Sequence, residues 1–128
     1  MDSETGSGAC AQFEAVHSAD ELELAFAASE SRVEVLYLHD PFCPISRKAL
    51  GQVERFNGHV YLIDVSTDRR LLDRVEARTG IRHESPQAFV LRRGKVRYAA
   101  SHGAIRTEAL REAAATAGGE SHSQAPLP

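Results

Sequence analysis

Apolar positions along this chain fall into short continuous runs that alternate with segments of helical spacing. The continuous runs are rich in β-branched and aromatic residues, which is typical of buried strands. Between them, apolar residues recur every three or four positions, which indicates helices with one buried face. The chain is therefore predicted to alternate strands with helices and to finish with a hairpin and a last helix. The predicted strands cover residues 13–16, 33–38, 59–65, 87–91 and 95–100.

The first two helices have recognisable start signals. Ser18 and Glu21 have the spacing of a capping box, so the first helix is expected to begin after Ser18. Pro44 suits the first position of the second helix, because its missing N–H costs nothing there. That helix is expected to end near Asn57-Gly58. The predicted stripe of the first helix is mostly apolar and consists of Leu22, Ala25, Phe26 and Ser29, and that of the second is apolar and consists of Ile45, Ala49, Val53 and Phe56.

Glycines and polar clusters bound the remaining elements. Ser66-Thr67-Asp68 is expected to cap the third helix, and Gly80 is expected to close it. Arg92-Arg93-Gly94 joins two strands and is predicted to form the turn of a hairpin. The last helix is predicted over Thr107–Ala117, with Gly118-Gly119 ending it.

This order of elements predicts an α/β fold in which helices cover both faces of a mixed sheet. It matches a thioredoxin-like three-layer sandwich with a central mixed sheet. Ser85-Pro86 stands directly before the hairpin, where that fold has a cis proline opposite its active cysteine. We predict one thioredoxin-like domain over 12–118, a flexible N-terminal segment at 1–11 and a disordered C-terminal tail at 119–128.

Charge and hydropathy argue against two classes of partner. The chain of 128 residues has 15 basic and 18 acidic residues, a net charge of −3, and the two signs are interspersed. No basic surface for nucleic acid or anionic lipid stands out. There is no apolar run long enough to cross a membrane, and the first residues are polar and acidic rather than those of a secretion signal. We expect a cytoplasmic monomer that binds neither nucleic acid nor membrane.

The chemistry is concentrated on one of only two cysteines, Cys10 and Cys43. Cys43 follows a predicted strand and precedes the helix that starts at Pro44, so it falls at the helix N-cap. There, the positive end of the helix dipole and the free amides of Ile45 and Ser46 favour a thiolate. The Ser46 hydroxyl is a further candidate donor, so Ser46→Ala is expected to weaken the site. The sequence therefore predicts a reactive thiol.

Four motifs in this order give the chain a family resemblance, and they are Cys43-Pro44-Ile45-Ser46, Thr79-Gly80-Ile81, His83-Glu84-Ser85-Pro86-Gln87 and Ser101-His102. Over about residues 13–112, the chain resembles the monothiol bacilliredoxin family. The resemblance implies removal of bacillithiol from S-thiolated client proteins, with bacillithiol as co-substrate and no tightly bound cofactor. It also implies that Cys43 is the nucleophile, that Ser46 replaces the second cysteine of dithiol relatives, and that Pro86 is the cis proline.

Other residues are expected to contact the substrate or to assist. Phe42, Pro44, Ile45 and Ser85 are predicted to bind the substrate, Ser85 through extended backbone that pairs like an added strand. Phe42 departs from the family pattern, in which a small polar residue is expected, and an aromatic side chain here is expected to narrow the approach to Cys43 or to change the preferred thiol. His39, His83 and Glu84 are candidates for assisting proton movement.

The residues leave several alternatives open. A glutathione-dependent monothiol glutaredoxin-like protein and a non-catalytic thioredoxin-fold redox sensor both fit a single reactive thiol. Cys10 could act as a resolving thiol for Cys43, in place of a second small thiol or a regenerating oxidoreductase. A zinc site made of Cys43 and histidines is disfavoured, because no Cys/His pair has the tight spacing of zinc ligands, and no metal is expected.

Overall fold

Five strands form one mixed sheet. They are β1 (Gln12–Ala15), β2 (Glu34–His39), β3 (His59–Asp64), β4 (Gln87–Arg92) and β5 (Lys95–Ser101). The computed structural model describes residues 10–124, with side chains as far as residue 119. Across the sheet the strand order is β1-β3-β2-β4-β5. The first three strands in that order are parallel, and β4 and β5 run antiparallel to their neighbours.

The helices cover both faces of this sheet. They are α1 (Ala19–Ala28), α2 (Pro44–Glu54), α3 (Leu71–Thr79) and α4 (Thr107–Gln124), with a 3₁₀ turn at His102–Ala104. Side chains alternate across the buried central strand β2. Leu36 and Leu38 pack with residues of α1 and α3, whereas Val35 and Tyr37 pack with residues of α2 and α4. The predicted thioredoxin-like three-layer sandwich is confirmed.

Several predicted boundaries are confirmed by hydrogen bonds. The Ser18 hydroxyl accepts from the Glu21 amide at 3.1 Å and caps α1. Gly80 follows α3 in the left-handed region, with φ of 74°, and its amide donates to Glu76 at 2.8 Å. Arg93 and Gly94 also have positive φ values, 57° and 74°, so both turn residues of the β4–β5 hairpin are left-handed, as a type I′ turn requires.

The predicted end of the last helix is wrong. α4 runs through Gly118 and Gly119 and continues to Gln124, so the disordered tail predicted from 119 begins inside a helix. Glycine costs a helix about 1 kcal/mol relative to alanine but keeps its N–H, so two glycines weaken a long helix without breaking it. Residues 125–128 lie outside the described part of the chain. At the N-terminal end of the chain, residues 1–9 also lie outside the described part. The Ala11 amide, close to that end, donates to the backbone carbonyl of Glu54 at 2.8 Å.

Two other predictions about helix ends are corrected. α2 ends at Glu54 rather than near Asn57-Gly58, because Phe56 turns into the core and is only 7% exposed. No side chain caps α3. Ser66 instead donates from its amide and hydroxyl to the Asp64 carboxylate, at 2.9 and 2.6 Å. The predicted cap cluster thus forms the turn that follows β3.

No helix in the part of the chain that the structure describes is both long and apolar enough to cross a membrane.

Candidate active site

A tight turn after β2 places Cys43 at the start of α2. The Asp40 carboxylate accepts the Phe42 amide at 3.0 Å, and the Asp40 carbonyl accepts the Cys43 amide at 3.1 Å. Cys43 is the N-cap of α2, with extended backbone angles, and Pro44 is the first helical residue. The Cys43 side chain is partly buried and makes no capping hydrogen bond in this structure. The predicted junction of strand, cysteine and helix is therefore present.

Asp40 is a site residue that the sequence analysis missed. It orders the turn through both its side chain and its carbonyl, which sets the direction in which Cys43 leaves β2. The available signal was Asp40-Pro41, since an aspartate before proline favours the start of a turn.

Tyr37, also missed, ties the first turns of α2 to the central strand. Its side chain is fully buried and its hydroxyl donates to the Ser46 carbonyl at 2.8 Å. Burial, and next the charge of Cys43 when it is a thiolate, raise the pKa of Tyr37 far above its ordinary value. The phenol therefore stays protonated and remains a hydrogen-bond donor when the thiolate forms.

His39 is a buried neighbour of Tyr37. Its Nδ1 lies 3.3 Å from the Tyr37 hydroxyl oxygen. Because that hydroxyl donates to the Ser46 carbonyl, its oxygen is left to accept, which assigns the proton to Nδ1 of His39. Burial lowers the pKa of His39, and the carboxylates of Asp64, Asp40 and Glu54 only partly offset this. A neutral imidazole thus lies beneath the start of α2.

Ser46 is fully buried at the third position of α2, and its Oγ has no hydrogen-bond partner among the described residues. A buried hydroxyl without a partner costs free energy. Ser46 is the third residue of the helix that Cys43 caps. The predicted role of its hydroxyl as a donor to a Cys43 thiolate stays a prediction.

The neighbours of Cys43 in the chain are exposed apolar residues. Phe42 is 82% exposed, Ile45 is 52% exposed, and Pro44 is also exposed. The prediction that Ile45 belongs to the buried stripe of the helix is wrong, because Ser46 is the residue of the first turn of α2 that faces the core. Ala49 and Val53 of the same stripe are buried as predicted. Exposed apolar residues next to a thiol form a surface on which a substrate can lie.

The loop before β4 comes to the same end of the sheet. The Ser85-Pro86 bond is cis, as predicted, and Pro86 directly precedes β4. β4 pairs with the end of β2 from which the Cys43 turn departs, since Gln87 lies opposite Leu38. Ser85 is partly buried beside it. The carbonyl of Pro86 accepts the His102 amide at 3.1 Å, which joins this loop to the 3₁₀ turn.

The two remaining predicted accessory residues form contacts of their own. His83 lies 3.8 Å from Glu76 of α3, and Glu84 lies 3.2 Å from Nδ1 of His102. Their part in proton movement stays a prediction. The sequence analysis missed the part that Gln87 plays in the loop before β4. Its side chain accepts the Glu84 amide at 2.9 Å and donates to the backbone carbonyl of Arg82 at 3.2 Å, which fixes the shape of that loop.

Cys10 is far from Cys43 in this fold. Ala11, its neighbour, is hydrogen-bonded to Glu54 at the last turn of α2, whereas Cys43 lies at the first. The 11 residues of α2 span about 16 Å at 1.5 Å per residue. A disulfide needs Cα atoms about 4.4 to 6.8 Å apart. The alternative of an internal disulfide with Cys10 is therefore incompatible with the folded position of β1.

No three histidine, cysteine, aspartate or glutamate side chains within the described residues are grouped so that they could hold a metal ion.

Comparison with known proteins agrees with this geometry. The sequence model of the family described as monothiol bacilliredoxin BrxC matches residues 14–110. A solved protein assigned as an oxidoreductase with a thioredoxin fold is 30% identical, with a TM-score of 0.73. That match covers 79% of this chain and 92% of the other.

Thioredoxins share the fold at lower identity. Thioredoxin from Fasciola hepatica is 16% identical with a TM-score of 0.65, and the match covers 81% of this chain and 98% of that one. Thioredoxin NaTrxh from Nicotiana alata is 14% identical with a TM-score of 0.65, with 84% and 94% covered. At these identities the likeness concerns the fold alone.

Proposed function

Because the chain belongs to the monothiol bacilliredoxin family of thioredoxin-fold oxidoreductases, we propose that it removes bacillithiol from S-thiolated proteins through a mixed disulfide on Cys43. The observation that supports this most directly is the setting of that sulfur. Cys43 is a free, partly exposed thiol at a helix N-cap, and Ser46 stands where a dithiol enzyme needs its second cysteine. An internal disulfide cannot complete the cycle at such a site.

The first step transfers the small thiol from the client to Cys43. The Cys43 thiolate attacks the bacillithiol sulfur of the client's mixed disulfide, and a new disulfide forms between Cys43 and bacillithiol. The bond to the client breaks, and the client sulfur leaves as a thiolate that takes a proton from solvent. No electrons are gained or lost overall, since one disulfide replaces another.

The second step restores Cys43. The thiolate of a second small thiol attacks the bacillithiol sulfur held on Cys43, and Cys43 leaves as a thiolate. The product is a disulfide of two small thiols, which a separate oxidoreductase must reduce. This cycle suits a reducing compartment such as the cytoplasm, where lone cysteines remain thiols.

The proposal is tested with a client protein carrying either bacillithiol or glutathione as a mixed disulfide. Intact mass should show transfer of bacillithiol to wild-type protein and release of the reduced client. Cys43→Ser should give no adduct and no client reduction, and Cys10→Ser, the matched control, should behave as wild type. Client reduction by Cys43→Ser would overturn the proposal.

The same assay separates the alternatives. Faster transfer of glutathione than of bacillithiol would identify a glutathione-dependent protein. An adduct on Cys43 that no added thiol removes would identify a redox sensor rather than an enzyme.

A further inference from the structure

A groove of about 620 Å³ lies between the start of α1 and the start of α3. Arg69, Arg70 and Arg74 are among the residues that line it, and we call it the arginine groove. We propose that the arginine groove binds an acidic segment of the client protein while Cys43 reacts with the client's mixed disulfide. The proposal rests on the proposed function and names the kind of client surface that this protein recognises.

The arginine groove and Cys43 lie at the same edge of the sheet. β1, β3 and β2 are parallel neighbours, and their carboxyl ends are level, since the Val16 amide donates to Leu62 and the Val65 amide to His39, both at 2.9 Å. Cys43 follows β2, and the groove lies where the chain leaves β1 and β3. Strand spacing places β1 about 10 Å from β2, and the groove is offset further, toward α1 and α3. Six extended residues of a client span about 20 Å, which is enough to join the two sites.

The arginines of the groove have no counter-charge from the protein. None of the three forms an ion pair with a carboxylate of the described residues, and all three are exposed. Asp68 is the one acidic residue among the described lining residues, and its Oδ2 lies 2.9 Å from Nδ1 of His17. That hydrogen bond and the charge of Asp68 raise the pKa of His17, so the histidine offsets the carboxylate. The groove is therefore a positive region on a chain of net charge −3, and it favours an anionic partner.

The form of the groove suits a segment of protein surface rather than a small anion. A site for a small ligand encloses it and orients it with a few fixed polar groups. Among the described lining residues of the groove, only Leu71 is buried. Arg70 is the N-cap of α3, and Arg74 lies four residues later, so the two cations are neighbours on one helix face. Exposed cations spaced in this way match carboxylates spaced along an extended chain.

The test uses two peptides that carry bacillithiol as a mixed disulfide on one cysteine. One peptide has three glutamates on each side, six residues from the cysteine, and the other has glutamines at the same positions. Wild-type protein should react about fivefold faster with the glutamate peptide at low salt concentration, because the groove attracts it. The net charge of −3 would by itself make the glutamate peptide the slower one, so the sign of the preference is diagnostic. Raising the salt concentration should reduce the preference.

Two double variants locate the source of the preference. Arg70→Gln combined with Arg74→Gln should bring the two rates within about twofold of each other and leave the rate with the glutamine peptide unchanged. Arg47→Gln combined with Lys48→Gln removes the same charge from exposed positions of α2, outside the groove, and should keep the preference. The proposal is overturned if wild-type protein shows no preference, or if the preference survives the first double variant.

A binding measurement separates this proposal from the proposed function. The same peptides with serine in place of cysteine are added to isotope-labelled protein, and the glutamate peptide alone should shift the amide NMR signals of residues 69–74. Shifts caused by inorganic phosphate but not by the glutamate peptide would identify a small-anion site and overturn the proposal, as would the absence of any shift. If the glutamate peptide binds but neither bacillithiol peptide reacts, the result counts against the proposed function instead.

Discussion

Two buried serines lie in opposite hydrogen-bonding environments. Ser29 donates to the Phe26 carbonyl at 2.6 Å and accepts the Gly94 amide at 2.8 Å, so its hydroxyl is fully used. Ser46 is equally buried, but its hydroxyl has no described partner. Since an unpaired buried hydroxyl lowers stability, Ser46 is expected to differ from Ser29 in its effect on folding, and its predicted role as a donor to Cys43 can be tested separately.

Replacing each serine by alanine separates these roles. Ser46→Ala should leave the free energy of unfolding unchanged or raise it by up to about 1 kcal/mol, because it removes an unpaired hydroxyl. The same variant should slow alkylation of Cys43 at neutral pH about three- to tenfold, because the thiolate loses a donor. Ser29→Ala, the matched control, should cost about 1 to 3 kcal/mol and leave alkylation unchanged. Urea unfolding measures the free energy of unfolding, and the kinetics of reaction with iodoacetamide measure the alkylation rate of Cys43. An unchanged alkylation rate for Ser46→Ala would contradict the role given to its hydroxyl.

At the scale of elements, the glycines of this chain act in different ways. Gly94 has φ of 74° in the β4–β5 turn, and a Cβ there would lie 2.8 Å from the Glu30 carboxylate. Gly51 is inside α2, and a Cβ there would meet nothing within 4 Å. The turn requires glycine for its backbone angle, whereas the helix only loses stability through it.

The same substitution should therefore have opposite effects at the two positions. Gly94→Ala should lower the free energy of unfolding by about 1 to 2 kcal/mol, because alanine is strained at positive φ. Gly51→Ala should raise it by about 0.5 to 1 kcal/mol through helix propensity. Chemical denaturation of both variants checks this, and a loss of stability in Gly51→Ala would show that α2 needs glycine for another reason.

At the scale of the whole molecule, two histidines give global stability opposite dependences on pH. Burial lowers the pKa of His39 below 6.5, so its stabilising neutral form is present above that value and is lost as the pH falls. A hydrogen bond and the charge of Asp68 raise the pKa of His17 above 6.5, so its contribution is present at lower pH and is lost as the pH rises. The observed profile is the sum of these and other groups.

Two variants separate the contributions of His39 and His17 to the pH dependence of stability. His39→Gln should reduce the loss of stability between about pH 7 and pH 5, because it removes a buried group that resists protonation. His17→Asn should increase that loss, because it removes a group that favours the folded state when charged. Unfolding midpoints measured across this range test the pair, and identical slopes for wild type and His39→Gln would contradict the role of His39 burial.

The sequence alone was sufficient for the features that are local in the chain. Strands and helices followed from apolar periodicity, α1 from the Ser18 capping box, and the placement of Cys43 at an N-cap from the proline after it. The predicted ends of α2 and α4 were wrong, since tertiary packing of Phe56 and continuation of a long helix outweighed the local glycine signals.

Only the tertiary structure decided which distant residues meet. Burial of Tyr37 and His39 beneath α2, the link from Pro86 to His102, and the arginine groove between the starts of α1 and α3 join segments that are far apart in the chain. The anchoring of β1 at the far end of α2 likewise separated Cys10 from Cys43. Such contacts depend on strand order and helix packing, which no local pattern encodes, whereas a helix start and its N-cap thiol depend only on neighbouring residues.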